Sequence, residues 1–211
     1  MDNNNLDLMS LVQNLGTKIL VSAGKEPVEM FRRITDFRNT LINESDRGCA
    51  LMSAAYLDEC LGRLLRSYFI DDTKVINKLF DYNGACGTFS SKIELAYGLG
   101  LIPKNVRLDL TLLRRIRNDF AHVSKVICFD DDPIKSRCYE LKLYPHPKII
   151  PSRSRFCRSM VIAVTQIETT AARLDRCIVK EEYDGENSSQ LAQTFAKKLD
   201  DEFGTSIAER L

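Results

Sequence analysis

The sequence predicts an all-α protein, a bundle of six to eight helices with a small irregular or hairpin insertion near residues 126–150. Apolar residues recur at steps of three and four over most of the chain, the spacing that lines one face of a helix. Helix punctuation bounds these runs, with Asn43-Glu44-Ser45-Asp46 before one and Gly98-Leu99-Gly100 after another. Only between Val126 and Ile150 does the pattern change: Tyr139, Leu141 and Leu143 alternate with charged residues, and prolines stand at 133, 145, 147 and 151. Such a segment reads as a loop with room for a short hairpin.

Taken in order, the first element runs from Asn5 to about Ser22, where Leu8, Leu11, Leu15 and Ile19 share a face. A second carries Met30, Ile34, Phe37 and Leu41 after a break at Pro27. The cap residues Asn43 to Asp46 then start a long helix in which Leu57, Leu61, Leu64 and Tyr68 step by four, three and four. Glu59 and Arg63 stand one turn apart on it, placed for an ion pair. A shorter helix spans Thr73 to Phe80, and Tyr82 to Gly87 reads as a loop whose two glycines permit positive backbone angles. The next helix, Thr88 to about Tyr97, ends at Gly98-Leu99-Gly100, and Pro103 opens another with Leu112, Leu113, Ile116, Phe120 and Val123 in one stripe.

Helical spacing returns from Arg153 to Lys180 through Phe156, Met160, Ala163, Ile167, Ala171, Leu174 and Ile178. After the polar stretch Asp184 to Ser189, a last amphipathic helix carries Leu191, Phe195, Leu199, Phe203 and Ile207. A single helix of this length is not stable alone, so it is expected to dock on the body or on a second copy. The expected organisation is a helical domain over 1–180, an acidic linker and C-terminal helix over 181–211, and a homo-oligomer, most simply a homodimer.

A length of 211 residues fits one domain with added terminal elements. Lys plus Arg number 30 and Asp plus Glu 29, which excludes indiscriminate binding of nucleic acid or anionic lipid by the whole surface and leaves such a role to a local patch. The longest apolar runs fall well short of the roughly 18 residues a membrane span requires, and Met1 to Asn5 lacks the basic region of a signal peptide. A cytoplasmic protein without membrane contact is expected. Seven cysteines (49, 60, 86, 128, 138, 157 and 177) show no CxxC spacing and no histidines at zinc-finger intervals. They read as reduced thiols in the core, with redox sensing the lesser alternative, and none stands out as reactive. No metal and no cofactor is expected, because GxSxG, Walker-loop and HExxH patterns are all missing.

Two motifs that resemble sites have simpler readings. Gly98-Leu99-Gly100 follows a helix instead of opening one, which makes it a helix stop and not a dinucleotide loop. Asp130-Asp131-Asp132 lacks the alternate spacing of a calcium loop and reads as a solvated acidic turn.

The informative stretch is Arg114-Arg115-Ile116-Arg117-Asn118-Asp119-Phe120-Ala121-His122. On a helix, Arg114, Asn118 and His122 step along the polar side with Arg117 at its margin. A neutral imidazole accepts a proton from a ribose 2′-hydroxyl, and a guanidinium stabilises the charge that develops on the phosphorus centre, which together cleave RNA without metal. Five residues separate Arg117 from His122, so two antiparallel copies would build the better cleft. The pattern resembles the RxxxxH motif of the HEPN superfamily of helical RNases and nucleotide-binding proteins, with Asn118 supporting. Against this stands the plain reading, in which both residues hydrogen-bond within a bundle or hold a carboxylate.

A broader resemblance covers Arg47 to His122. The stretches Lys78-Leu79-Phe80-Asp81-Tyr82-Asn83-Gly84, Gly87-Thr88-Phe89-Ser90-Ser91-Lys92-Ile93, Ala96-Tyr97-Gly98-Leu99-Gly100-Leu101-Ile102 and Leu112-Leu113-Arg114-Arg115-Ile116-Arg117-Asn118 resemble the mannitol operon repressor family. The resemblance implies an all-helical transcriptional regulator without a standard recognition helix. A complete RNDFAH stretch and the tail after residue 180 depart from the repressor's own pattern; they weaken a mannitol-specific role and favour the nuclease.

Charge is uneven along the chain: residues 151–180 carry six basic and two acidic side chains, 181–211 three basic and eight acidic. Arg153, Arg155 and Arg158 would join Arg114, Arg115 and Arg117 in a nucleic-acid-facing surface if their helices pack together, with the acidic tail as its cover. Ordinary solvated helix faces are the bland alternative. Two functions therefore stand open: a regulator acting through a protein partner or nucleic acid, and a metal-independent endoribonuclease using His122 as base and Arg117 for phosphate.

Overall fold

The computed structural model describes residues 25–122, 126–144, 150–204 and 206, among which there are eight helices and no strand. In chain order these are α1 (Lys25–Ile42), α2 (Asp46–Tyr68), α3 (Thr73–Phe80), α4 (Phe89–Gly98), α5 (Lys104–Ala121), α6 (Asp132–Glu140), α7 (Ser152–Ala171) and α8 (Gly185–Phe203). The helix expected over Asn5 to Ser22 lies outside the described residues, as do Val123 and Ile207. Among the described residues no helix is long and apolar enough to cross a membrane. They fall into two compact units divided between Cys177 and Ile178, with α1 to α7 in the first and α8 in the second.

The longest helix, α2, is central to the first unit and packs against α7, α5, α4 and α1. Its start is set by Ser45, whose hydroxyl accepts the Gly48 amide at 3.0 Å. The first half buries small residues, Cys49, Ala50, Ser53 and Ala54, and these let α7 approach closely. Leu57, Leu61, Leu64 and Leu65 fill the second half. The expected ion pair forms, Arg63 to Glu59 at 2.6 Å, but Arg63 also reaches Glu168 of α7 at 2.5 Å, and Arg33 of α1 meets the same carboxylate at 3.5 Å. A local pair predicted on one helix is thus part of a three-helix tie.

Four departures from the sequence expectation have identifiable causes. Pro27 does not break the chain ahead of α1 but sits within its first turn, where a missing N–H costs no helical bond. Gly84 and Gly87 do not adopt left-handed angles; the positive-φ glycines among the described residues are Gly100 and Gly204. A Cβ on Gly84 would stand 2.3 Å from the Leu79 carbonyl oxygen, and one on Gly87 2.3 Å from that of Tyr82, so close backbone approach demands glycine there. Among the described residues of the irregular insertion the feature that forms is a helix, α6, and no hairpin. Pro133 lies in the first turn of α6, and Ile134 and Cys138, four apart, bury one face. Finally, α7 ends at Ala171 although helical spacing continues to Ile178. The chain instead leaves the helix, the Cys177 amide donates to the Tyr68 carbonyl at 2.7 Å, and Ile178 is exposed.

Asp109 is fully buried on α5 and anchors the chain beyond α6. Its carboxylate accepts the Lys142 amide at 2.9 and 3.1 Å and the Leu143 amide at 2.9 Å. Burial raises its pKa above the ordinary carboxylate value, and the two amides and the Lys142 charge oppose that shift. A raised folded-state pKa means the native protein binds the proton more tightly than the unfolded chain. The stability gained from this proton is full below the ordinary carboxylate value and is lost as pH rises through the raised one. Urea unfolding of wild type and Asp109→Asn across that range should show the wild-type advantage shrinking with pH; a constant difference would refute the assignment.

Candidate functional site

The polar end of α5 is where the sequence placed its chemistry. The helix stops at Ala121, and His122 is the C-cap, with φ −71° and ψ 110°. This break takes the imidazole out of the four-residue register that Arg114 and Asn118 share. Beyond it, the 126–131 segment is held to α2, because Asp46 Oδ2 accepts the Phe129 amide at 2.9 Å and Phe129 is buried in the core. Asp131 folds that segment on itself by accepting the Cys128 amide at 2.9 Å.

A groove of about 580 Å³ results, lined by Asp119, His122, Ile127, Asp131, Pro133, Ile134 and Arg137. An ion pair between Arg137 of α6 and Asp119 of α5 forms part of its lining. Arg47 of α2 donates to the His122 carbonyl at 3.4 Å, which ties down the backbone there while the imidazole remains exposed. The groove combines apolar contact with one carboxylate–guanidinium pair, a second carboxylate from Asp131 and one imidazole, a lining suited to a polar peptide segment or a small mixed ligand.

Arg117 is not among the lining residues. It is exposed and donates to Asn118 Oδ1 at 3.1 Å. Within one copy, therefore, the arginine and the histidine of the RxxxxH pattern do not meet in the groove, and Asn118 serves Arg117.

The six arginines expected to face nucleic acid separate into different roles. Helices α5 and α7 do pack together, yet Arg153 and Arg155 are turned to the protein. Arg153 pairs with Asp46 at 2.6 Å and donates to the carbonyls of Leu41, at 2.9 Å, and Glu44. Arg155 is only 5% exposed, donates to the Cys138 carbonyl at 3.3 Å and lies over the Tyr139 ring. Its register explains this: Ser152, Arg155, Phe156, Ser159, Met160 and Ala163 form the buried face of α7, so Arg155 occupies a core position. Arg158 remains on the surface with its guanidinium on Tyr144. Arg114 has its Nε buried with no hydrogen-bond partner among the described residues, and Arg115 is exposed. A continuous arginine surface is not assembled from these six.

The remaining motifs take the places their simpler readings gave. Leu99 caps α4, and Gly100 has φ 74°, so Gly98-Leu99-Gly100 is a helix stop. Asp130 accepts from the Ser152 hydroxyl at 3.2 Å, and Asp131 is the N-cap of α6. Among the described residues no cluster of three His, Cys, Asp or Glu side chains could hold a metal.

Sequence reasoning missed Arg137 and Asp119 as groove residues. The signal for Arg137 was present in Pro133, Ile134 and Cys138, a first-turn proline followed by an apolar pair four apart, which marks a helix through Arg137. Nothing local announced the pairing with Asp119.

The sequence profile of the MtlR family, described as mannitol repressor, matches residues 41–174, a stretch that takes in α2 to α7. The mannitol operon repressors of Escherichia coli strain K12 and of Escherichia coli O6:H1 strain CFT073 are each 28% identical to this chain over 116 residues, 51% of this chain and 60% of theirs. The chain thus spans 60% of the length of these curated relatives. In fold, it is similar to a chain in the X-ray structure of the MtlR-HPr complex from Escherichia coli, with a TM-score of 0.51, 24% identity, and coverage of 63% of this chain and 98% of that one.

Proposed function

Because this chain belongs to the mannitol repressor family, we propose that it is a cytoplasmic regulatory protein that acts as a helical homodimer through direct contact with a protein partner. The observation that carries the reading is the family match over residues 41–174, which spans the helices that build the body and the groove. The use of Arg153 and Arg155 inside the protein supports a protein partner over a phosphate backbone. HPr, present with MtlR in the Escherichia coli complex, is the first partner to test. For the dimer, α8 offers exposed Leu191, Phe195 and Phe203.

Immobilised full-length protein should bind purified HPr saturably, and Arg137→Ala, which removes the groove's guanidinium, should weaken that binding at least tenfold. Deletion of the gene should change specific transcripts. Absence of both HPr binding and any transcript change removes the regulatory reading. Light scattering should return twice the chain mass.

A second reading, a metal-independent endoribonuclease with His122 as base and Arg117 for phosphate, is favoured by one observation. Both side chains are exposed at the same end of α5, where a second copy can reach them. Total RNA incubated with the protein in EDTA should then be cleaved, and His122→Ala and Arg117→Ala should each reduce cleavage by at least 100-fold. Intact RNA with wild type, or undiminished cleavage by both variants, removes this reading.

A further inference from the structure

Cys49 stands in the first turn of α2 and Cys157 in the second turn of α7. Their Sγ atoms are 3.5 Å apart across the packed face of the two helices. A disulfide bond is about 2.05 Å long, so closing the gap asks for about 1.5 Å of approach, within reach of side-chain rotation and a slight shift of the helices. Cys49 is fully buried and Cys157 is half-buried, which gives the pair an inner and an outer member.

The two thiols have different electrostatic surroundings. The hydrogen bond with Cys49, then the Arg153 and Arg38 guanidiniums, hold the Cys157 thiol below its usual pKa against the effect of burial. The same hydrogen bond and burial push Cys49 up. Arg153 stands one turn before Cys157 on α7, and its contacts with Asp46 and the Leu41 and Glu44 carbonyls keep its charge in place. Cys60 and Cys138, by contrast, are fully buried thiols pushed up to about 12 chiefly by desolvation.

We propose that Cys49 and Cys157 are a peroxide-oxidised dithiol, closing to a reversible disulfide that ties α2 to α7. The Cys157 thiolate attacks one oxygen of hydrogen peroxide; the O–O bond breaks, the leaving hydroxide takes up a proton as water, and Cys157 becomes a sulfenic acid. Cys49 then attacks the sulfenic sulfur. The S–S bond forms, the S–OH bond breaks, and the departing hydroxide leaves as water with the Cys49 proton. Two thiols are oxidised by two electrons in all, and one peroxide is reduced to two waters. A low-molecular-weight dithiol reverses the step by exchange and leaves as its own disulfide. The cross-link joins residues 108 apart in the chain and encloses α3 to α6, so one local oxidation constrains most of the body. This inference is independent of the partner proposed above.

The test uses the full chain, reduced, freed of reductant and treated with hydrogen peroxide near stoichiometry. Alkylation and a non-reducing digest then follow. Mass spectrometry should find a peptide pair linking Cys49 to Cys157, with the loss of two hydrogens from the intact chain, and dithiothreitol should restore both thiols. Cys49→Ser should stop the reaction at a Cys157 sulfenic acid trapped by dimedone, and Cys157→Ser should form no link to Cys49. The proposal is overturned if both cysteines of the wild type are recovered alkylated, if the bond forms to a different cysteine, or if oxidation is confined to exposed Cys128. The wild-type digest decides the matter even if either variant folds poorly.

Discussion

Phe156→Ala should destabilise the protein by about 3–5 kcal/mol, the range for removing a buried aromatic ring from a packed core. Phe156 is fully buried on α7, and its ring centroid lies 5.0 Å from that of Phe129, which in turn lies 4.9 Å from Phe120 on α5. The three rings are tilted against one another, at 53° and 48°, an arrangement that adds to simple area burial. Phe129 comes from an irregular segment, so the cavity left by Phe156→Ala also loosens the wall of the His122 groove. In urea, the unfolding midpoint should fall with little change in slope. Tyr82→Ala, at a side chain 82% exposed, should move stability by less than about 0.5 kcal/mol. A loss at Phe156 no larger than that at Tyr82 would contradict the ring cluster as a stabilising feature.

Arg153→Met should cost about 2–3 kcal/mol and leave any nucleic-acid affinity unchanged. The substitution keeps much of the stem but removes the pair with Asp46 and the donations to the Leu41 and Glu44 carbonyls. Breaking a fully buried pair costs roughly 3–5 kcal/mol; side-chain exposures of 30% for Arg153 and 26% for Asp46 lower the figure through solvent screening. The Arg107–Glu94 pair is more exposed at Glu94, and Glu94→Gln should cost less than about 1 kcal/mol. In a double-mutant cycle, Asp46→Ala and Arg153→Met should be clearly non-additive, because each removes the other's partner. A phosphate-binding Arg153 would give the opposite result, weaker nucleic-acid binding at unchanged stability.

These two residues show how far local pattern reaches. Helical spacing alone places Phe156 in the core, and with it Met160, Ala163 and Ile167, all of which are buried. Phe129 follows no period, because what buries it is contact with Phe120 and Phe156 from two separate helices. The sequence puts Arg153 on the surface, because charge normally faces water. Its position opposite the end of α1 and the start of α2 reverses that, because the carbonyls of Leu41 in the last turn of α1 and of Glu44 in the link to α2 accept its guanidinium.

The candidate site divides in the same way. His122 was legible as an unusual residue at the end of a polar helix face, and it does line the groove. That Arg117 faces a different surface follows from the five-residue spacing, which sets the two residues about 140° apart around a helix, and the stop at Ala121 takes His122 off the helix altogether. The Cys49–Cys157 contact was invisible, because cysteines 108 residues apart carry no spacing signal.

By itself the sequence determined that the chain is helical, where most of its helices begin and end, and which faces of α2, α5 and α7 are apolar. Those properties are local: side-chain spacing at about 3.6 residues per turn, capping groups within one turn, and glycine or proline at the ends. Only the tertiary structure decided which polar side chains turn inward, where α7 gives way to irregular chain, and which residues share the groove. Each of these depends on an unpaired carbonyl, amide, carboxylate or thiol being met by a group from elsewhere in the chain, and no window of sequence contains both partners.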